Sequence, residues 1–288
     1  MTSSVTLPDG RELAYEEYGD PDGDPVLSFH GGLSSRLDAA PAHQAALDLG
    51  VRLVSPDRPG IGRSTFQPGR RLLDWPADVA ALTDSLGIDR FAVMGWSCGG
   101  PYAAVCGARM RDRITAVGLL SSAVPFELIG TTKGLTRDDR ILLALVRRAP
   151  RLASALLRIT IGEASEARLY REIRRSFPAV DRAALAERGS VVDAVAFVKE
   201  SMRQGPEGCI QDYRVFGNPW GFDLSEVTMP VQIWEGEEDV SGPPEYRELL
   251  LRHLPQAQLS VVPCEGHLSL LQHQAPAILS HLTSPISG

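Results

Sequence analysis

Phe91-Ala92-Val93-Met94-Gly95-Trp96-Ser97-Cys98-Gly99 reads as a short buried strand that ends in a sharp turn. Gly100 to Ala104 then opens a run of small residues, with Pro101 in its first turn. A proline there removes only an N–H that has no intrahelical partner. Strand, tight turn and helix are the context in which a Gly-x-Ser-x-Gly pentapeptide can act as a nucleophile elbow. A serine at the tip of such a turn sits in strained backbone with its hydroxyl clear of the sheet. Neighbouring chain passes close on both sides, and Gly95 and Gly99 carry no Cβ to obstruct it. Taken alone the pentapeptide also fits a glycine-rich turn with an incidental serine, so the surrounding chain has to decide.

Upstream, Ser4 to Leu7, a turn at Pro8-Asp9-Gly10 and Glu12 to Tyr18 read as a hairpin, with Asp-Gly as a two-residue turn signal. Val26 to Phe29 and Val51 to Ser55 are short apolar strands, separated by helical periodicity from Leu37 to Leu49. Trp75 to Leu86 is helical, with Asp74 as its N-cap and Gly87 as its stop. After the elbow, Ser97 to Met110 is helical and Ile114 to Leu120 is a strand. Strands alternating with helices of this length predict a parallel sheet. From Phe126 to Phe222 the alternation stops. Ile141-Leu142-Leu145-Val146, Leu152-Leu156-Leu157, Leu169-Ile173-Phe177 and Val191 to Met202 are spaced for helix faces, and no strand is evident. The alternation resumes with a strand at Val231 to Trp234, a helix at Pro244 to Leu254, a strand at Leu259 to Val262 and a helix at His267 to Leu282. The simplest architecture is an α/β sheet with an all-helical insertion over its C-terminal edge, where open α/β sheets bind ligands.

A serine hydroxyl is a weak nucleophile until a base takes its proton, and a carboxylate must hold that base in the right tautomer. Ile233-Trp234-Glu235-Gly236-Glu237-Glu238-Asp239 supplies a strand, a glycine turn and acids. Asp239 is the preferred acid, with Glu237 and Glu238 close enough to compete, and an acidic surface turn is the plain alternative. Among the 6 histidines, His43, His253, His273 and His281 lie in helical patterns. His30 sits in a glycine loop and is expected to brace it. His267 stands after the last strand at a loop leading into a helix, where an imidazole can reach Ser97 across the sheet edge. Acyl transfer also needs N–H donors for the tetrahedral oxyanion. One is the backbone N–H of Cys98 at the start of a helix. The other is expected from Phe29-His30-Gly31-Gly32-Leu33, with Gly32 preferred over Leu33. Leu33 and Trp96 are expected to line the substrate site. The Cys98 thiol is not the nucleophile, since a residue after the elbow tip turns its side chain away.

Taken together, these segments resemble the α/β-hydrolase fold family, in its single-cap serine hydrolase form. His30-Gly31-Gly32 is similar to the family's oxyanion loop, Asp57-Arg58-Pro59-Gly60-Ile61-Gly62-Arg63-Ser64 to its Asp-x-x-Gly-x-Gly-x-Ser loop, and Gly95 to Gly99 to its elbow. Gly236 to Asp239 and Gly266-His267 are similar to its acid and base loops. The resemblance implies an α/β-hydrolase core over residues 1–125 and 223–288 and a helical cap over residues 126–222. It departs from the proline iminopeptidases, which favour His-Gly-Gly-Pro-Gly where this chain has Leu33-Ser34. Serine at the elbow tip also departs from the relatives that use aspartate there for epoxide or haloalkane chemistry.

A net charge of −7 over 288 residues excludes a general nucleic-acid-binding surface, which needs a basic face. The N-terminus has no basic start or long apolar run, no stretch approaches the length of a membrane span, and the 4 cysteines lack metal-type pairing. A cytoplasmic protein with reduced thiols is expected. Between Thr131 and Arg175 there are 11 Lys or Arg against 5 Asp or Glu. They read as solvated helix faces or as a basic rim. The apolar positions of the same segment predict either a pocket for a medium-sized acyl or alcohol group or helix-packing core. The expected function is a serine hydrolase of carboxylic esters or related acyl compounds, with no metal and no cofactor and a small, partly hydrophobic substrate. Thioesters, amides, lactones and carbon–carbon bonds share the same chemistry. A small-molecule receptor on the same scaffold is the alternative from another class.

Overall fold

An eight-stranded sheet carries the molecule, in the order β1-β2-β4-β3-β5-β6-β7-β8. The strands are β1 (Ser3–Thr6), β2 (Glu12–Gly19), β3 (Asp24–Phe29), β4 (Val51–Pro56), β5 (Phe91–Trp96), β6 (Ile114–Leu120), β7 (Val231–Gly236) and β8 (Ala257–Val262). The structure, a computed structural model, describes residues 2–129, 135–187 and 194–284. β1 pairs with β2 and β2 with β4 antiparallel, and every other neighbouring pair is parallel. Alternate residues of the inner strands leave opposite faces. Leu27, Phe29, Val54, Phe91 and Val93 enter one core with Val79, Leu82, Val105 and Leu250. Val26, Leu53, Ala92, Met94 and Trp96 enter the other with Ala46, Ile278 and Leu279. Helices Trp75–Ser85, Gly100–Arg109 and Pro244–His253 thereby cover one face, and His43–Asp48 and Ala275–Thr283 the other. β5 is buried at every position, as a parallel strand covered on both sides must be.

Several local readings are corrected. Asp74 does not cap the helix Trp75–Ser85. Its carboxylate accepts from the N–H of Arg71 at 2.8 Å, because it closes the short turn Leu72–Asp74 that precedes the helix. The first hairpin turns at Pro8, Asp9 and Gly10 as expected, but as a three-residue loop closed by Leu7 N–H to Arg11 O at 2.7 Å rather than a two-residue Asp-Gly turn, with Gly10 at φ +84°. The last helix is two: His267–His273 and Ala275–Thr283. Pro276 explains the break, since a proline inside one continuous helix would lose a hydrogen bond and clash with the preceding turn.

Among the described residues, every element between β6 and β7 is helical. The principal helices are Arg137–Arg148, Pro150–Leu157, Glu166–Ser176, Ala179–Ala186, Ala194–Ser201 and Glu207–Phe216. The expected helix start at Val191 falls on residues 191–193, outside the described residues. In Arg137–Arg148 and Pro150–Leu157 the buried face is turned by about one position from the sequence reading, while Leu169 of Glu166–Ser176 is buried as expected. Leu142, Leu143, Val146, Ala153 and Leu157 pack with Tyr213 and Phe216. Ile141, Leu152 and Leu156 are exposed instead. The apolar positions of this block therefore serve mainly as helix-packing core. Its arginines from Arg137 to Arg175 are exposed, as solvated helix faces are.

Candidate active site

Ser97 stands at φ +54°, a left-handed conformation that costs a non-glycine residue energy and is kept where the surroundings enforce it. The enforcement comes from close packing. A Cβ at Gly95 would run into the carbonyl of Gly99, and one at Gly99 into the carbonyl of Phe29. β3 and β5 are neighbours, with Phe29 opposite Gly95, so the loop after β3 and the turn after β5 emerge side by side. A short 3₁₀ turn, Ser97–Gly99, leads into the helix Gly100–Arg109. The N–H of Cys98 lies in that first turn, where no intrahelical partner exists. Desolvation pushes the Cys98 thiol up to about 12, which removes it as a thiolate nucleophile.

The loop after β3 is held from below by a buried arginine. Arg58 donates to the carbonyl oxygens of His30 and, at 2.8 Å, Gly31. A trans peptide points its N–H opposite its C=O, so the Gly32 N–H faces away from the guanidinium. Gly31 N–H is already engaged by Asp38 at 3.0 Å, and Ser34 Oγ donates to the same carboxylate at 2.8 Å. Burial pushes Asp38 up to about 7. Gly32 adjoins Cys98, since a side chain at Gly32 would meet the Cys98 sulfur at 3.1 Å. Leu33 follows at φ +49°, and it and Cys98 each pack against the cluster that contains Tyr213.

His30 accepts from the N–H of Arg58 at Nε2 (3.1 Å) and so presents Nδ1–H to Gly31 O at 3.0 Å. Burial and the charge of Arg58 hold it well below the usual imidazole range, so this neutral tautomer persists and the histidine braces the loop. Arg58 is in turn paired with Asp212 at 2.8 Å, and Arg70 pairs with the same carboxylate. Burial opposes ionisation of Asp212, but the two guanidiniums override it and hold the carboxyl well below its ordinary range.

His267 Nδ1 lies 2.8 Å from Asp239 Oδ2, and the other Asp239 oxygen accepts from the N–H of Ser241 at 2.7 Å. Glu237 and Glu238 are exposed, which leaves Asp239 as the acid at the histidine. Burial works against a charged imidazole. Asp239 outweighs it through charge and hydrogen bond, and His267 titrates above its ordinary value. Asp239 is displaced the other way: burial raises it, but the imidazole lowers it further. Trp96, expected at the substrate site, is buried against His267. Its indole N–H donates to His267 O at 3.1 Å, and its ring lies 5.0 Å from the imidazole. Phe177, from the helical block, stacks on the same imidazole at 6.2 Å.

The structure thus brings His267 to Asp239 and Gly32 to Cys98, and ties Trp96 to His267. The other histidines have separate duties. His43 accepts from Gly19 N–H at 2.9 Å, and His273 lies between Glu265 and Glu187 at 3.1 Å from each. Sequence reasoning missed Glu235, whose buried carboxyl is pushed up to about 8 by burial and by the charge of Asp239. An acid at the end of a buried strand, beside Trp234, was its only signal. It also missed Asp212, whose arginine partners lie 142 and 154 residues away. A small void beside Cys98, lined by Gly32, Arg58, Tyr102, Tyr213 and Trp220, has room for about one water molecule and does not touch Ser97 or His267.

Residues 24–274 match the family model of the alpha/beta hydrolase fold. The chain belongs to the α/β-hydrolase fold family. It is similar to a non-heme chloroperoxidase from Streptomyces lividans, 38% identical over 42% of this chain and 45% of that one. It is also similar to a bifunctional esterase/perhydrolase from Acinetobacter calcoaceticus, 36% identical over 44% of this chain and 46% of that one. The chain thus spans about half the length of these two relatives. A hydrolase from Pseudomonas aeruginosa superposes over 98% of both chains with a TM-score of 0.72 at 19% identity, a likeness of fold. Among the described residues of this α/β-hydrolase, no helix is long and apolar enough to cross a membrane.

Proposed function

We propose that this α/β-hydrolase is a cofactor-free serine hydrolase that cleaves carboxylic esters or related acyl compounds. The observation that carries the reading is the 2.8 Å contact between His267 and Asp239 at the sheet edge where Ser97 is held at φ +54°. Ser97 Oγ attacks the acyl carbon as His267 Nε2 takes its proton. Asp239 keeps Nδ1–H pointed at itself and stabilises the imidazolium. The N–H groups of Cys98 and Gly32 receive the oxyanion, a contribution of roughly 3 kcal/mol for each donor. The imidazolium returns the proton to the leaving alcohol. A water then attacks the acyl-enzyme with His267 as base, and the acid and free Ser97 are regenerated. No step requires a metal or an organic cofactor.

In this reading residues 126–222 form a cap that closes the site against water, and residues 1–125 and 223–288 form the catalytic core. Phe177, stacked on the His267 ring at 6.2 Å, supports a cap whose inner face lies against the reacting groups. The esterase/perhydrolase relative supports the choice of esters. The test is turnover of p-nitrophenyl esters of increasing chain length, beside the matching thioesters and amides. Wild type should favour esters, and Ser97→Ala should lose about 10⁴-fold or more in kcat. Equal turnover by Ser97→Ala would defeat the assignment, and tight binding of the ester without turnover would favour the receptor.

A further inference from the structure

We propose that Asp181, a residue of the helical block, is a positioning residue for His267 that ties the seating of the cap to the readiness of the base. The proposal rests on the reading of His267 as the general base. Asp181 lies in the helix Ala179–Ala186 and is fully buried. Its carboxylate reaches the first turn of the helix His267–His273. Oδ2 accepts from the N–H of His267 at 3.1 Å, and Oδ1 from those of Leu268 and Ser269, both at 2.9 Å. These are first-turn donors without intrahelical partners, and His267, Leu268 and Ser269 are all buried away from water. A side chain at the N-cap would normally satisfy one of them. Gly266 occupies that position and has none.

Gly266 itself points to the same conclusion. Its backbone is extended, at φ −110° and ψ −151°, a conformation open to any residue. What excludes a side chain is the carboxylate: a Cβ at Gly266 would lie 2.6 Å from both oxygens of Asp181. In this chain the glycine before the base therefore makes room for an acid that arrives from the inserted block. His267 is then held at three points: its N–H by Asp181, its carbonyl by the Trp96 indole, and its Nδ1 by Asp239. The groups facing the imidazole are Asp239 from the acid turn, Asp181 from the block and Glu235 from β7, with the Trp96 and Phe177 rings on its flanks. The charge of Asp181 favours the imidazolium, and its hydrogen bonds fix where the ring stands. A cap that lifts away would release both effects together.

Asp181→Asn tests this with little change of shape, since an amide can accept on one side only and carries no charge. The measurements are kcat, KM and the acid limb of kcat/KM for p-nitrophenyl acetate, beside fluorophosphonate labelling of Ser97 in the wild type. Expected are a fall in kcat of roughly tenfold from misplacement of the base, KM within about twofold, and an acid limb displaced to lower pH. Gly266→Ala should cost a similar factor in wild type and little more in an Asp181→Ala background, because the collision is then gone. Should variants fail to fold, hydrogen exchange on the wild type decides: the Leu268 and Ser269 amides should be protected. Wild-type labelling with an unchanged rate and acid limb in Asp181→Asn, strictly additive Gly266 and Asp181 effects, or unprotected amides would each overturn the positioning role alone. An unlabelled wild type would overturn the reading of the site, and this role with it.

Discussion

The loops at the edge of the sheet and the inner face of the helical block build the same site by opposite means. The loops work locally. Gly95, Ser97 and Gly99 lie within five residues, as do the turn at Gly236 and Asp239, and each stretch fixes its own geometry through backbone approach. The block works at long range through single buried acids. Glu200 pairs with Arg36 at 2.8 Å, Asp212 with Arg58 and Arg70, and Asp181 with the amides at His267. The same block shows a basic outer surface to solvent and an acidic one to the core. Local geometry sets where Ser97, Asp239 and His267 stand, and the distant acids set whether the loops that carry them stay in place.

Breaking the inner face should do the larger damage. Asp212→Asn leaves Arg58 and Arg70 buried with a neutral partner, and Arg58 is also the group that holds the carbonyls of His30 and Gly31. Severing a buried pair costs about 3–5 kcal/mol, which for a chain of this size is a fall in Tm of roughly 10 °C by calorimetry. Hydrolysis at temperatures where the variant stays folded should fall as well, because the Gly32 N–H loses its support. A Tm within about 2 °C of wild type would show that the block is not anchored through this carboxylate.

A smaller effect belongs to the sheet side. Glu235 holds its proton to about pH 8 in the folded chain, against about 4.5 for an unhindered carboxyl. The folded state binds more protons between those values, so stability falls as pH rises from about 4.5 to about 8 and then levels. Below that window the cost is absent. Glu235→Gln should therefore raise Tm by several degrees at about pH 8.5 and leave it nearly unchanged at about pH 4.5. Equal shifts at the two pH values would mean that the carboxyl does not carry this charge.

How much of this was legible follows from the same contrast. The alternation of strands and helices, the strained turn at Ser97 and the placing of His267 beside an acid turn were readable because each depends on residues close in sequence. Three neighbouring acids were in view after β7, and only Asp239 among them meets the His267 ring, because Glu237 and Glu238 are exposed. The rotation of the block's helix faces was not readable, since Ile141 and Leu143 are both apolar and only the placement of Tyr213 and Phe216 selects between them. Asp181 and Asp212 gave no sign of themselves. Each is one acid in an amphipathic helix, and its partner lies at least 86 residues away. The break at Gln274 was legible in Pro276 and was missed.

The most direct test of the account is the pH dependence of covalent labelling by a fluorophosphonate, with the adduct located by peptide mass spectrometry. His267 must be neutral to take the Ser97 proton, and its ionisation lies above 6.5 in this site. The account predicts a single adduct on Ser97, formed at a rate that rises through one ionisation with its midpoint above pH 6.5, and a slower reaction with a lower midpoint in Asp239→Asn. An adduct on another residue, or a Ser97 rate that does not change with pH, would contradict it.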